Sequence, residues 1–173
     1  MATSNQASIQ PRKSSSDLGA PKVTINAAFL EEVKIIHKEL WQLLEETLSM
    51  CFYHQRSFKW QTRFVECLDG LRDLFAMQFA LEEGYGYFDD PVFVEANTAA
   101  RAADLMNDHG QLYLEISSIS DWVDDLRHHG QLANQMSKVQ TRFRAFYDQI
   151  QTHEKKEQEL IFEAYCDDIG TGD

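Results

Sequence analysis

Cysteine and proline are scarce in this sequence, with 3 of each in 173 residues. Cys51, Cys67 and Cys166 form an odd set with no CxxC pair, which argues against a disulfide framework or a zinc knuckle. So little proline, with only 8 glycines, weighs against a turn-rich all-β chain. No apolar run reaches the ~18 residues of a membrane span, and the opening Met-Ala-Thr-Ser-Asn-Gln lacks the apolar core of a secretory signal. The expected location is therefore the reducing cytoplasm. Positive charge is short as well, because 16 Lys plus Arg face 28 Asp plus Glu and leave a net charge of −12. That balance excludes a basic footprint for nucleic acid or an anionic membrane surface. Neither GxGxxG, GxxxxGK[ST] nor Gly-x-Ser-x-Gly occurs, so nucleotide folds and serine-hydrolase chemistry have no support.

What remains is a composition that can build a core, with 43% hydrophobic and 12% aromatic residues in a length suited to one domain. Residues 1–22 are polar and serine-rich around Arg12-Lys13, and they read as a flexible tail. From 23 to 173 the apolar residues recur three and four apart, in four pieces. The first spans about Asn26, a suitable N-cap, to Cys51, with Leu30, Val33, His37, Leu40, Leu44, Thr47 and Cys51 in its seam. The second, about Lys59 to Glu83, carries Trp60, Phe64, Cys67, Leu71, Leu74, Gln78 and Leu81. Gly84 and Gly86 break it, and Asp89-Asp90-Pro91 supplies a cap and a first-turn proline for the third. The third carries Thr98, Ala102, Leu105, His109, Leu112, Ile116, Ile119 and Val123, and stops at His128-His129-Gly130. The fourth, about Leu132 to Asp167, carries Leu132, Met136, Val139, Phe143, Phe146, Ile150, His153, Glu157, Leu160 and Ala164. Four amphipathic helices joined by short loops predict an all-α, up-down-up-down antiparallel four-helix bundle.

Within these seams only His37, Gln78, His109, His153 and Glu157 carry an ionisable or amide side chain. None lies in an end turn where water would solvate it. A buried polar group without a partner costs roughly 1–3 kcal/mol, so these groups must satisfy one another or share a ligand. At ~1.5 Å per helical residue, antiparallel helices three and four place His109 and His153 within about 6 Å along the axis. His153-x-x-x-Glu157 points an imidazole and a carboxylate from one helix face, a spacing that can hold a metal ion, and Gln78-x-x-x-Glu82 is its analogue on helix two. Imidazole and carboxylate without thiolate suit iron, manganese or zinc. The ferritin-like Glu-x-x-His motif is absent, since Lys34, Met106 and Ile150 precede the three seam histidines by three. A plain hydrogen-bonded polar layer in the bundle core is the competing reading.

Other candidates have simpler explanations. His54 falls in an expected loop, and His128-His129 suits a helix C-terminus. Cys51 and Cys67 could approach across a turn, but two small core residues are the better account. Glu154, Lys155, Lys156 and Glu159 are expected to form a solvated face of helix four.

The ordered set Ile-Ile-His37-Lys-Glu-Leu, Gln78-Phe-Ala-Leu-Glu82, Asn-Asp-His109-Gly-Gln-Leu and His153-Glu-Lys-Lys-Glu157 resembles the hemerythrin-like (HHE cation-binding) family over about residues 28–173. The resemblance implies a non-haem di-iron centre that binds or senses O2 or a related diatomic. His109 and His153 would serve one iron, His37 and residue 78 the other, and Glu82 and Glu157 would bridge them. Two positions depart from the family pattern. Gln78 stands where a histidine is usual, and Leu105 stands where oxygen carriers have a further histidine. These departures leave open a dinuclear, mixed or mononuclear centre, one rebuilt with Glu83 or Tyr85, and none at all. The alternative function is a metal-free bundle that serves as a protein-interaction module. Oxidase or peroxidase chemistry would use the same residues.

Overall fold

A computed structural model describes the backbone at residues 27–53, 57–85 and 96–170, and the side chains at 36–53, 57–84 and 96–163. The expected tail, His54 and the Asp89-Asp90-Pro91 cap lie outside these residues, as do the side chains of Leu30, Val33, Tyr85, Ala164 and Cys166. Four helices make up nearly all of the described backbone: α1 (Ala27–Phe52), α2 (Phe58–Tyr85), α3 (Ala96–His128) and α4 (Leu132–Gly170). No strand occurs among the described residues. Each helix packs on its chain neighbours, and α1 also packs on α4.

Cross-helix contacts pair early residues of one helix with late residues of the next, which is antiparallel order. Arg63 of α2 donates to Glu46 of α1 at 2.9 Å, and Leu43 lies against Gly70. Ser120 of α3 donates to Asp69 of α2 at 2.7 Å, while His109 meets Glu82 further along. On the α3–α4 side Arg142 binds Glu115 and Arg101 binds Glu163. Between α1 and α4, Tyr147 donates to Glu45 at 2.5 Å and His37 meets Glu154.

The predicted seams hold with one adjustment. On α3 every seam residue but Ala102, which is half-buried, is buried, and Ser120 joins them. On α2 the buried row after Leu71 runs through Phe75, Gln78, Phe79 and Glu82, whereas Leu74 and Leu81 lie at its edge. The expected step of three after Leu71 is thus a step of four, and it carries Glu82 fully into the interior. Phe64, Phe75, Phe143 and Phe146 fill the centre, with Phe75 and Phe146 edge-to-face at 5.5 Å. Buried apolar area of this size is the main drive for the fold.

Helix ends follow local chemistry. α3 closes on Gly130, whose φ of 67° is the left-handed conformation that glycine adopts without steric cost. Gln131 N–H reaches Leu126 O at 2.8 Å and Gly130 N–H reaches Arg127 O at 3.0 Å, the two bonds of a Schellman cap. The ring Nδ1 atoms of His128 and His129 donate to the carbonyls of Asp124 and Asp125. The histidine pair therefore completes a helix end, as expected. By contrast, Gly84 does not break α2, which continues to Tyr85, and α4 runs on to Gly170. One helical glycine costs about 1 kcal/mol, which a packed helix absorbs.

Two glycine substitutions should separate propensity from conformation. Gly110 is exposed on α3 with nothing within 4 Å of an added Cβ. Gly110→Ala should raise stability by about 0.5–1 kcal/mol in urea unfolding. Gly130→Ala meets no clash but strains the backbone, and should lower it.

Cys51 and Cys67 are buried free thiols, and burial pushes them up to about 12 and about 11. They are core residues, and inert ones, because the thiolate is the reactive form.

Candidate metal centre

The six residues singled out in the sequence converge in one region of the bundle, approached from all four helices. His109 on α3 and His153 on α4 have ring centroids 5.0 Å apart, in keeping with the common level read from helix rise. One ligand atom from each of His109, His153 and Glu157 lies within 4.8 Å of the others, and all three residues are buried. Among the described residues this is the one group of three or more such side chains close enough to share an ion. Glu82 joins it from α2, with Oε2 3.2 Å from His109 Nε2. His153 Nε2 is 3.3 Å from Glu157 Oε1, and His109 Nε2 is 3.7 Å from that oxygen.

These atoms are close without being hydrogen-bonded. His109 Nε2, both ring nitrogens of His153, Glu82 Oε2 and Gln78 Oε1 are buried with no hydrogen-bond partner. Native interiors rarely leave such atoms unmatched, and five at one place require an explanation. Two ligands about 2.1 Å from one ion, at angles between about 90° and 110°, lie roughly 3.0–3.4 Å apart. The 3.2 and 3.3 Å separations here fall in that range. The donor set fits a metal ion.

The orientation of His109 fits as well. Its Nδ1 lies 3.3 Å from Glu83 Oε1. A carboxylate accepts, so Nδ1 donates in this contact and Nε2 is the nitrogen that faces inward. Outer carboxylates hold metal-binding imidazoles in this way and raise their basicity. Glu83 is thus placed to orient His109 from outside. Phe79, absent from the expected α2 seam, stacks flat on His109 at 4.2 Å and stands edge-on to His153 at 6.2 Å. It limits the freedom of both rings.

His109 Nε2 and Glu82 Oε2 face each other 3.2 Å apart without a hydrogen bond. Only a cation or a proton between them relieves that contact. Burial and the neighbouring Glu157 accordingly push the Glu82 carboxyl up to about 9, against a hydrogen bond from Gln78 that lowers it. A metal ion can replace that proton.

The other half of the site is arranged differently. Gln78 Nε2 donates to Glu82 Oε1 at 2.9 Å and to Glu154 Oε1 at 3.3 Å. Glu154 Oε2 lies 3.0 Å and Trp41 Nε1 2.9 Å from His37 Nε2. The hydrogen bond that His37 donates to Glu154 raises the His37 pKa against the lowering effect of burial. Glu154 overturns the expected solvated face of α4: it is buried, although Lys155, Lys156 and Glu159 are exposed as expected. The physical reason is position. Residue 154 follows His153 and stands four after Ile150, so on a helix it borders the seam and turns toward α1. A glutamate beside two lysines reads as surface in sequence, and the signal available was its i+4 spacing from a buried isoleucine.

A cavity of about 420 Å3 between α3 and α4 is lined by Asp108, Leu112, Asp148, Thr152, His153 and Lys156 among others. His153 is the one member of the candidate site in that lining. Leu105, one turn before His109, is buried and adds no ligand. No family model, curated protein or solved structure matches this chain.

Proposed function

We propose that this protein is a metal-binding four-helix bundle in which His109, His153 and Glu157, with Glu82 beside them, hold non-haem iron that binds or senses O2 or a related diatomic. The observation that supports this most is the set of buried, unpartnered imidazole nitrogens facing carboxylates at ligand-to-ligand distances. Two imidazoles and a carboxylate suit iron, manganese or zinc, and the hemerythrin-like sequence pattern favours iron. Bound iron would supply open coordination positions, since three or four protein ligands leave at least two of about six unfilled.

The chain's own residues do the rest. Glu83 accepts from His109 Nδ1, Phe79 packs against both imidazole rings, and His153 lines the α3–α4 cavity, where a small molecule would approach it.

The test is elemental analysis of protein purified without a metal-affinity tag, then anaerobic ferrous reconstitution and optical spectra with and without air. Stoichiometric iron and an air-dependent spectrum support the reading. No retained metal after reconstitution defeats it and leaves a polar core layer in a protein-interaction module. Glu83→Ala should keep the fold and weaken metal affinity by about 10–100-fold, because His109 loses its orienting acceptor. Competition against a chromophoric chelator measures this.

A further inference from the structure

We infer that this chain holds one metal ion where the di-iron pattern would hold two, and that Gln78 is the residue that closes the second position. The inference rests on the metal-centre reading above and deepens it.

The two halves of the site differ in what their polar atoms lack. On the α3–α4 side, His109 Nε2 and both His153 ring nitrogens have no hydrogen-bond partner. On the α1 side, His37 Nε2, the Gln78 NH2 and both Glu154 oxygens are occupied by one another, and Gln78 Oε1 is left without a partner. A second ion would need His37, residue 78 and the outward oxygens of the carboxylates to point lone pairs at one place. Residue 78 does the reverse. Its NH2 donates to Glu82 Oε1 at 2.9 Å and to Glu154 Oε1 at 3.3 Å, so two amide hydrogens occupy the place between carboxylates that a cation would take. An amide nitrogen has no lone pair available for a metal. Turning the carboxamide over would set its oxygen against two carboxylate oxygens, so this orientation is the one that the surroundings select. His37 Nε2 is engaged too, between Trp41 Nε1 at 2.9 Å and Glu154 Oε2 at 3.0 Å. No group of three ligand atoms converges there among the described residues.

Gln78 therefore acts as a positioning residue. It fixes Glu82 through Oε1 so that Oε2 faces His109, and it ties Glu82 to Glu154 and through it to α1. Two carboxylates that repel each other are held together by a neutral donor, which does electrostatically part of what a second ion would do. His109, His153 and Glu157 would then hold a single ion, to which two imidazoles and a carboxylate would supply the protein's ligands.

The experiment is ferrous iron loading under anaerobic conditions, removal of excess by gel filtration, and iron counted per chain. The wild type, Gln78→His, Glu154→Gln and His153→Ala are compared, each checked for helicity by circular dichroism. The wild type should retain one iron, Gln78→His should rise toward two, Glu154→Gln should stay at one, and His153→Ala should fall below a tenth of one. Gln78→His removes the clamping donor and offers an imidazole opposite His37. Two irons in the wild type overturn the inference while leaving the metal-centre reading intact. One iron in both wild type and Gln78→His overturns the role of Gln78. Two in the wild type falling to one in Glu154→Gln would make Glu154 a ligand, again against the inference. No iron in any variant removes the metal-centre reading beneath it. Should Gln78→His lose helicity, Gln78→Glu repeats the test: it removes the amide donor and should likewise raise the count above one.

Discussion

Replacing His153 with leucine should abolish metal binding and, in the same protein, raise the stability of the metal-free form. The two effects have one cause. His153 is 5% exposed, and neither ring nitrogen has a hydrogen-bond partner. Its neighbours in the fold are the Phe79 and His109 rings and the Glu157 carboxylate, 3.3 Å from Nε2, with Leu112 lining the same cavity. Leaving buried polar atoms unsatisfied costs roughly 1–3 kcal/mol, and an apolar residue of similar volume removes that penalty. The gain should be about 1–2 kcal/mol by urea unfolding, and metal affinity should drop at least ~100-fold with one of two imidazoles gone. A polar layer kept for stability predicts the opposite sign, because removing a satisfied member strands its partners. Destabilisation of metal-free protein by His153→Leu, with unchanged metal content, would therefore defeat the functional reading. Retention of such a costly arrangement in the core is itself understandable as the stability given up for a site.

Which parts of this were legible in the sequence has a physical pattern. The α3 and α4 seams could be read nearly residue for residue, because their apolar positions recur without competing alternatives. The level of His109 and His153 followed from helix rise alone. On α2, Phe75 and Phe79 compete with Leu74 and Leu81 for the interior, and only packing decides between two apolar rows one position apart. The bulky aromatics took the inside, at 1% and 6% exposure, where Phe146 and His109 give them ring partners. Glu154 was illegible for a different reason. Its burial depends on receiving Gln78 from α2 and facing His37 on α1, and no local pattern encodes a partner 76 or 117 residues away. Gln78 was visible as an oddity at a histidine position, but its role as donor required knowing where both carboxylates stood.

The split between the two halves also bears on how the site tolerates being metal-free. A cluster of Glu82, Glu154 and Glu157 in one interior invites repulsion, and three different devices relieve it. Glu154 meets His37, Gln78 bridges Glu82 to Glu154, and Glu82 keeps a proton. The first two operate whether or not an ion is bound. The third is displaced by the ion, and it makes the metal-free fold sensitive to pH.

The stability of metal-free protein should fall as pH rises from about 5 to about 9, while metal-loaded protein should lack most of that slope. The Glu82 carboxyl is held up at about 9 by burial and by Glu157, against an ordinary value of 4.5. Between those values the folded chain holds a proton that the unfolded chain has released. Stability then declines with pH, by at most about 1.4 kcal/mol per unit for one proton. Below the ordinary value both states are protonated and the slope vanishes; above the raised value the loss is complete. His37, whose pKa is also raised, acts in the same direction as pH passes through its own titration. Glu82→Gln isolates the larger share, since it keeps His37 and removes the titrating carboxyl. Urea unfolding at pH 5, 7 and 9 should show a steep decline for metal-free wild type, a shallow one for metal-free Glu82→Gln, and a metal affinity in wild type that tightens toward alkaline pH as the ion displaces the proton. A metal-free wild type whose stability is flat or rises over that range would mean that Glu82 is already ionised in the fold. The His109–Glu82 contact would then need another explanation than a proton waiting to be exchanged for a metal.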